Sequence, residues 1–196
     1  IMAYNNKDNL YSVLVKISII LTILFSGWLV WEHVSNRPLG TNEYSAANKA
    51  FKDSNYELAY KYYKKAYKLN PNDVYVIEGI ARSLMELENY NEAISYFNLA
   101  IESQANFAPA YANLGVLYDR MGDHKKAMEL YSEALRLDSD LEKGMHWIDR
   151  LLYNVQEVPP TVKDRLKYLQ NQYLLNENER ILSVPEVDDK QLNYEK

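Results

Sequence analysis

The 196-residue chain carries 22 Lys and Arg against 27 Asp and Glu, a net charge of −5 that argues against a general nucleic-acid binder. It contains no cysteine, which excludes disulfide frameworks, thiolate metal sites and thiol nucleophiles. With 47% apolar and 25% charged residues, it is long enough for one domain plus appendages.

A polar amino-terminal tail (1–10) precedes the one long apolar run, which starts at Tyr11 and ends at Trp31. As a helix this run spans roughly 31 Å, close to a hydrocarbon core of about 30 Å, and it predicts an uncleaved transmembrane signal-anchor over 11–34. Tyr11 at one end and Trp28 and Trp31 at the other sit where interfacial aromatics belong, and Lys16 can snorkel. Phe25-Ser26-Gly27 is a poor cleavage site, which counts against a removable signal peptide. Lys7 and Lys16 on the amino side, against Arg37 beyond Trp31, favour a cytoplasmic amino terminus. In a bacterial inner membrane the rest of the chain is then periplasmic; a cytosol-facing domain is the alternative. Ser18, Thr22 and Ser26 recur every four residues, the spacing of a small-residue face that packs on another transmembrane helix.

Residues 35–41 read as a linker reaching about 25 Å when extended, so whatever follows stays near the lipid surface. Beyond it the chain repeats itself. Ala59, Ala93 and Ala127 recur at a spacing of 34, as do Tyr63, Phe97 and Tyr131, and Ala66, Ala100 and Ala134. Small, aromatic and small residues on one helical face, at this period, resemble the second helix of the tetratricopeptide repeat. Counted from Gly40, Val74 and Ala108, the repeats are 40–73, 74–107 and 108–141. Leu114-Gly115 in the third matches the Leu-Gly pair of the family, softened to Ile80-Ala81 and Ala46-Ala47 in the others. Pro71 closes the first repeat, while Ala105 and Ser139 replace the next two prolines.

Each helix pair leaves an apolar face that only the next pair covers, so the array needs a cap. Ser139 and Glu142 have capping-box spacing, and Leu141, Met145, Ile148 and Leu152 form a stripe, predicting a cap helix over 141–153. The whole repeat domain is then 42–153. Val158-Pro159-Pro160 breaks the chain within 154–175, and Thr161 with Asp164 signals another helix start. Val162, Leu166, Leu169 and Tyr173 give that short helix an apolar stripe, expected to pack on the end or the convex side. Residues 176–196 read as an acidic, irregular tail that Ile181, Leu182 and Val184 can clip to a neighbour. The fold class expected is all-α: a transmembrane helix, a three-repeat helix-turn-helix solenoid, a cap and an extended tail.

The sequence offers no catalytic, metal or cofactor constellation: no HExxH, no GxGxxG and no phosphate loop occurs. His124 occupies the column of Tyr56 and Tyr90 and reads as a packing residue; His33 adjoins the apolar run. No enzyme is expected. Lys61, Lys64, Lys65 and Lys68 crowd one helix, and such a run is most simply a solvated face.

What remains is a surface. The resemblance implies that the first helices line a concave groove holding a protein or peptide. The groove positions are then Tyr44, Asn48, Phe51 and Lys52, followed by Tyr75, Glu78, Arg82, Met85 and Glu86. The third repeat adds Ala112, Val116, Asp119 and Arg120, and the cap adds Lys143, His146 and Arg150. One branch of the family clamps a terminal carboxylate with Lys, Asn and Arg. Here only Asn48, Asn113 and Lys143 fall near those roles, with Tyr44 in place of a Lys and Trp147 in place of the Arg, so that clamp is not expected. The function implied is a membrane-anchored scaffold that recruits, chaperones or helps assemble a partner protein or membrane complex. The alternatives are a stoichiometric accessory subunit of a respiratory or secretory complex, or a protein resembling outer-mitochondrial import receptors. The partners implied are a protein or peptide in the concave groove, the lipid bilayer and another transmembrane helix, with no nucleic acid.

Overall fold

The computed structural model describes residues 2–35, 40–144 and 160–188, and the chain divides into two units, 1–41 and 42–196. The first unit contains one long helix, α1 (Met2–Ser35). Its Tyr11–Leu29 stretch has a mean hydropathy of 2.0 and buries none of its side chains within the protein. By length and composition it is able to cross a bilayer. Thr22 donates its hydroxyl back to the Ser18 carbonyl at 2.8 Å, the usual local solution for a hydroxyl in an apolar helix.

The second unit is all-helical among its described residues. Three antiparallel pairs follow one another: α2 (Thr41–Lys52) with α3 (Tyr56–Leu69), α4 (Val74–Glu86) with α5 (Tyr90–Ser103), and α6 (Ala108–Arg120) with α7 (His124–Leu137). Short polar side chains start several of them. Asn55, Asp73 and Asp123 each accept a backbone N–H of the first turn they precede, which satisfies a donor the helix itself cannot use. Glycine or a left-handed residue turns the chain between paired helices: Ser54 (φ 56°), Glu88 (φ 60°) and Gly122 (φ 83°) stand at equivalent places. Only Gly122 takes that conformation without a Cβ penalty.

The three repeating columns are the core. Ala59, Ala93, Ala127, Tyr63, Phe97, Tyr131, Ala66, Ala100 and Ala134 are all fully buried. The aromatics need small residues opposite them. A Cβ built on Gly115 would lie 2.7 Å from the Tyr131 ring, and one on Gly79 would overlap the Tyr63 ring. Glycine therefore sits inside α4 and α6, at a propensity cost of about 1 kcal/mol each, because the aromatic stack leaves no room for more.

After α7 the chain makes a 3-10 turn, Ser139–Glu142. Ser139 does not act as its cap: Asp138, one residue earlier, accepts the Asp140 N–H at 2.9 Å. The charged Asp138 carboxylate takes the first free donor and fixes a tight turn in place of an α-helical start. The expected cap helix beyond it, with Met145, His146, Trp147, Ile148, Arg150 and Leu152, lies outside the described residues. Helix α8 (Val162–Tyr173) packs against α7 and covers the end of the solenoid. The predicted start is formed as read: Thr161 and Asp164 make a reciprocal capping box. Val162, Leu166 and Leu169 are buried and Tyr173 is half-buried. Beyond α8, a 3-10 turn (Glu177–Glu179), an extended stretch (181–184) and one helical turn (Pro185–Asp188) fold back along the domain.

Candidate functional site: a concave face and its closure

The predicted groove residues fall into three groups. The first is internal. Arg82 is 1% exposed, its Nε donates to Glu78 at 3.0 Å, and its guanidinium lies 4.6 Å from the centre of the Phe51 ring. Glu78, also buried, accepts from Asn113 Nδ2 at 2.6 Å, which links the second and third repeats. Tyr63 donates its hydroxyl to Asn48 and packs on Tyr44 with ring centres 5.9 Å apart, linking the first pair. Met85, Ala112 and Val116 are buried too. These residues do converge, but as a polar spine between repeats. Arg82 does not present its charge at the surface.

The second group is open. Tyr75 is 41% exposed and stands edge-on to Phe107, with ring centres 5.2 Å apart. Glu86 and Arg120, one repeat apart on α4 and α6, form an ion pair of 3.1 Å. They border a cavity of about 560 Å³ that is also lined by Met85, Tyr90, Asp119 and Asp188. Lys52 and Lys143 are exposed, the latter paired with Asp140 at 2.6 Å. His146 and Arg150 lie outside the described residues.

The third is Asp119, the acid on which the end of the domain converges. It accepts from Tyr131 Oη at 3.2 Å and lies 2.7 Å from His124 Nδ1. Arg165 of α8 meets it twice, Nε to Oδ2 at 2.6 Å and Nη2 to Oδ1 at 2.9 Å. Burial works against the Arg165 charge, but the Asp119 hydrogen bonds and the Asp119 and Asp188 carboxylates outweigh it and hold the guanidinium pKa above its ordinary value. His124 is buried, as its column implies.

On the outer face, Lys61, Lys65 and Lys68 are exposed, whereas Lys64 donates to Tyr96 Oη at 2.7 Å. That hydrogen bond is the main reason its pKa rises. Burial, seconded by the Glu92 charge, raises the pKa of the neighbouring Tyr60 phenol. Among the described residues no cluster of His, Asp or Glu is placed to hold a metal ion.

The residues missed in the sequence are Arg165, Tyr168 and Gln172. Their spacing of i, i+3 and i+7 marks one polar face of α8 beside its apolar stripe.

Family models described as tetratricopeptide repeat match residues 50–115 and 108–141. Residues 50–141 are tetratricopeptide repeats. The chain is 28% identical to Hsp70-Hsp90 organizing protein 3 of Arabidopsis thaliana over 154 residues, covering 75% of this chain and 27% of that relative. It is 31% identical to Protein SGT1 homolog of Oryza sativa subsp. japonica over 119 residues, 59% of this chain and 32% of that one. The chain thus spans only about a quarter to a third of the length of those longer proteins. Among solved structures, the TPR2B domain of yeast Sti1 in its pHsp70 complex superposes with a TM-score of 0.50 at 27% identity, over 58% of this chain and 93% of that one. The first TPR domain of human RPAP3 superposes with a TM-score of 0.50 at 22% identity, over 52% and 80%, a likeness of fold.

Proposed function

We propose that this chain is a protein-binding scaffold, related to the Hsp70-Hsp90 organizing proteins, that is tethered to a membrane by α1 and recruits or helps assemble a polypeptide partner. The observation that carries the reading is the side-by-side placement of α4 and α6, whose Glu86 and Arg120 border an open cavity beside buried Met85. Arg120 set among acids, with Met85 and Tyr90 offering apolar contact beside it, suits a polypeptide, whose charges orient and whose side chains are retained. The likeness to the Sti1 domain, solved as a complex with pHsp70, supports the same class of ligand. Tyr44 and Trp147 depart from the carboxylate-clamp residues, so the partner is held by a segment rather than by its free end.

Support for the tether is the apolar stretch Tyr11–Leu29, with no side chain buried in the protein. The Lys7 and Lys16 bias favours a cytoplasmic amino terminus, with the repeats on the other side of an inner membrane.

Purification of the full chain in mild detergent tests the reading. Arg120→Glu sets two acids face to face and should release the partner, whereas Lys61→Glu with Lys65→Glu on the outer helix should not. Partners that survive Arg120→Glu but are lost from Ser18→Leu/Ser26→Leu would make the membrane helix the binding element. The accessory-subunit reading would then replace this one.

A further inference from the structure

The polar face of α8 grips the chain's own backbone. Tyr168 Oη donates to the Ile181 carbonyl at 2.6 Å, and Gln172 Oε1 accepts the Ile181 N–H at 2.8 Å. Arg165 Nη2 donates to the Leu182 carbonyl at 2.9 Å. All three gripped groups are main chain, and any extended segment offers them. The Ile181 side chain is 62% exposed and adds little, while Leu182 packs against the core.

Six residues further on, Asp188 brings Oδ1 to 2.8 Å from Arg165 Nη1. This is charge contact without hydrogen-bond geometry, and no hydrogen bond reaches that oxygen. The guanidinium is meanwhile fixed through Nε and Nη2 by Asp119, independently of the strap. A backbone grip, an apolar seat and a carboxylate seat thus share one face, and the carboxylate seat is imperfectly filled.

We infer that this face of α8 is a binding site for an acidic polypeptide segment that runs extended through an apolar residue and then makes a helical turn to present a carboxylate, and that residues 180–188 occupy it in cis until such a partner segment replaces them. Asp188 presents its carboxylate in this way, from the turn its Oδ2 closes by accepting from Ser183 and Val184. The inference rests on the scaffold reading and adds to it a site outside the repeats. Replacement is feasible because Arg165 stays anchored when the strap leaves, so the site is preformed. It also controls access, since Ser183, Pro185 and Asp188 line the cavity beside Arg120 and would leave with the strap.

The probe is a fluorescein-labelled peptide with the sequence of residues 176–190, titrated by anisotropy against the full chain in detergent. A tethered strap competes at an effective concentration of about a millimolar, so the native chain should bind the peptide weakly. Leu182→Asp with Asp188→Asn disables the strap in cis and should tighten peptide binding at least tenfold, roughly the competition relieved. In that background Tyr168→Phe removes the carbonyl grip and should weaken the peptide while leaving the helical circular dichroism unchanged. A peptide carrying Asp188→Asn should also bind less well.

No peptide binding to a folded, strap-disabled chain would overturn the inference. So would loss of helical signal in that variant, because the strap would then be part of the core. Partner capture that responds to Arg120→Glu would stand in either case, which separates the failure of this site from failure of the scaffold reading.

Discussion

Arg165 and Asp119, 46 residues apart in the chain, close the end of the repeat array with a two-pronged ion pair of 2.6 and 2.9 Å. The same carboxylate takes the Tyr131 hydroxyl and faces His124, so one acid joins the last aromatic of the repeat columns to the helix beyond them. Helix α8 therefore brings both things an exposed solenoid end lacks: an apolar stripe to cover α7, and a charge to compensate a buried acid.

Removing one partner of such a pair leaves the other buried and uncompensated. Arg165→Met should cost about 3–5 kcal/mol in chemical denaturation of the full chain. The double variant Asp119→Leu/Arg165→Met should recover much of that loss, because two apolar groups replace two charges. An Arg165→Met chain as stable as the native one would show that α8 does not help hold the domain together.

Gly115→Ala sets two effects against each other. Alanine gains about 1 kcal/mol of helix propensity over glycine. Its Cβ would stand 2.7 Å from the Tyr131 ring, and overpacking of this kind costs roughly 1–3 kcal/mol. The ring is fully buried and cannot swing away, so the net effect should be destabilising, as it should for Ala93→Leu. Glu92→Leu, on the exposed face, should leave the unfolding midpoint close to native. A stabilised Gly115→Ala would contradict the packing described for α6 and α7.

The repeat columns were legible because packing in a solenoid is written at a fixed period: Ala93 and Phe97 have counterparts 34 residues on either side, and their burial follows. The α8 start was legible because Thr161 and Asp164 are three residues apart and act on each other. Arg82 was not legible as an interior residue. Its Glu78 partner is one turn away, but Asn113, which completes the spine, lies in the next repeat, and an arginine on a first helix reads as surface. Arg165 was harder still, for it sits outside the repeats and its meaning depends on an acid 46 residues earlier. The strap read as an acidic tail because its main attachments are backbone groups, which leave no mark in a sequence.

The chain's lack of cysteine makes topology accessible. Single cysteines at Asn6 and Asn176 should lie on opposite sides of the membrane, with Asn176 outside the cytoplasm. An impermeant maleimide on intact cells or spheroplasts should label the second alone. Labelling of position 6 alone would reverse the orientation, and equal labelling of both would remove the tether from the account.

The central claim is that a polypeptide is held on the face formed by the first helices. A photo-crosslinking amino acid placed at Tyr75, exposed on α4, and separately at Lys68, exposed on α3, tests it in the full chain under native conditions. The account predicts a discrete crosslinked polypeptide from position 75 that is lost in Arg120→Glu and absent from position 68. The same adduct from position 68, or an adduct at 75 indifferent to Arg120→Glu, would contradict it.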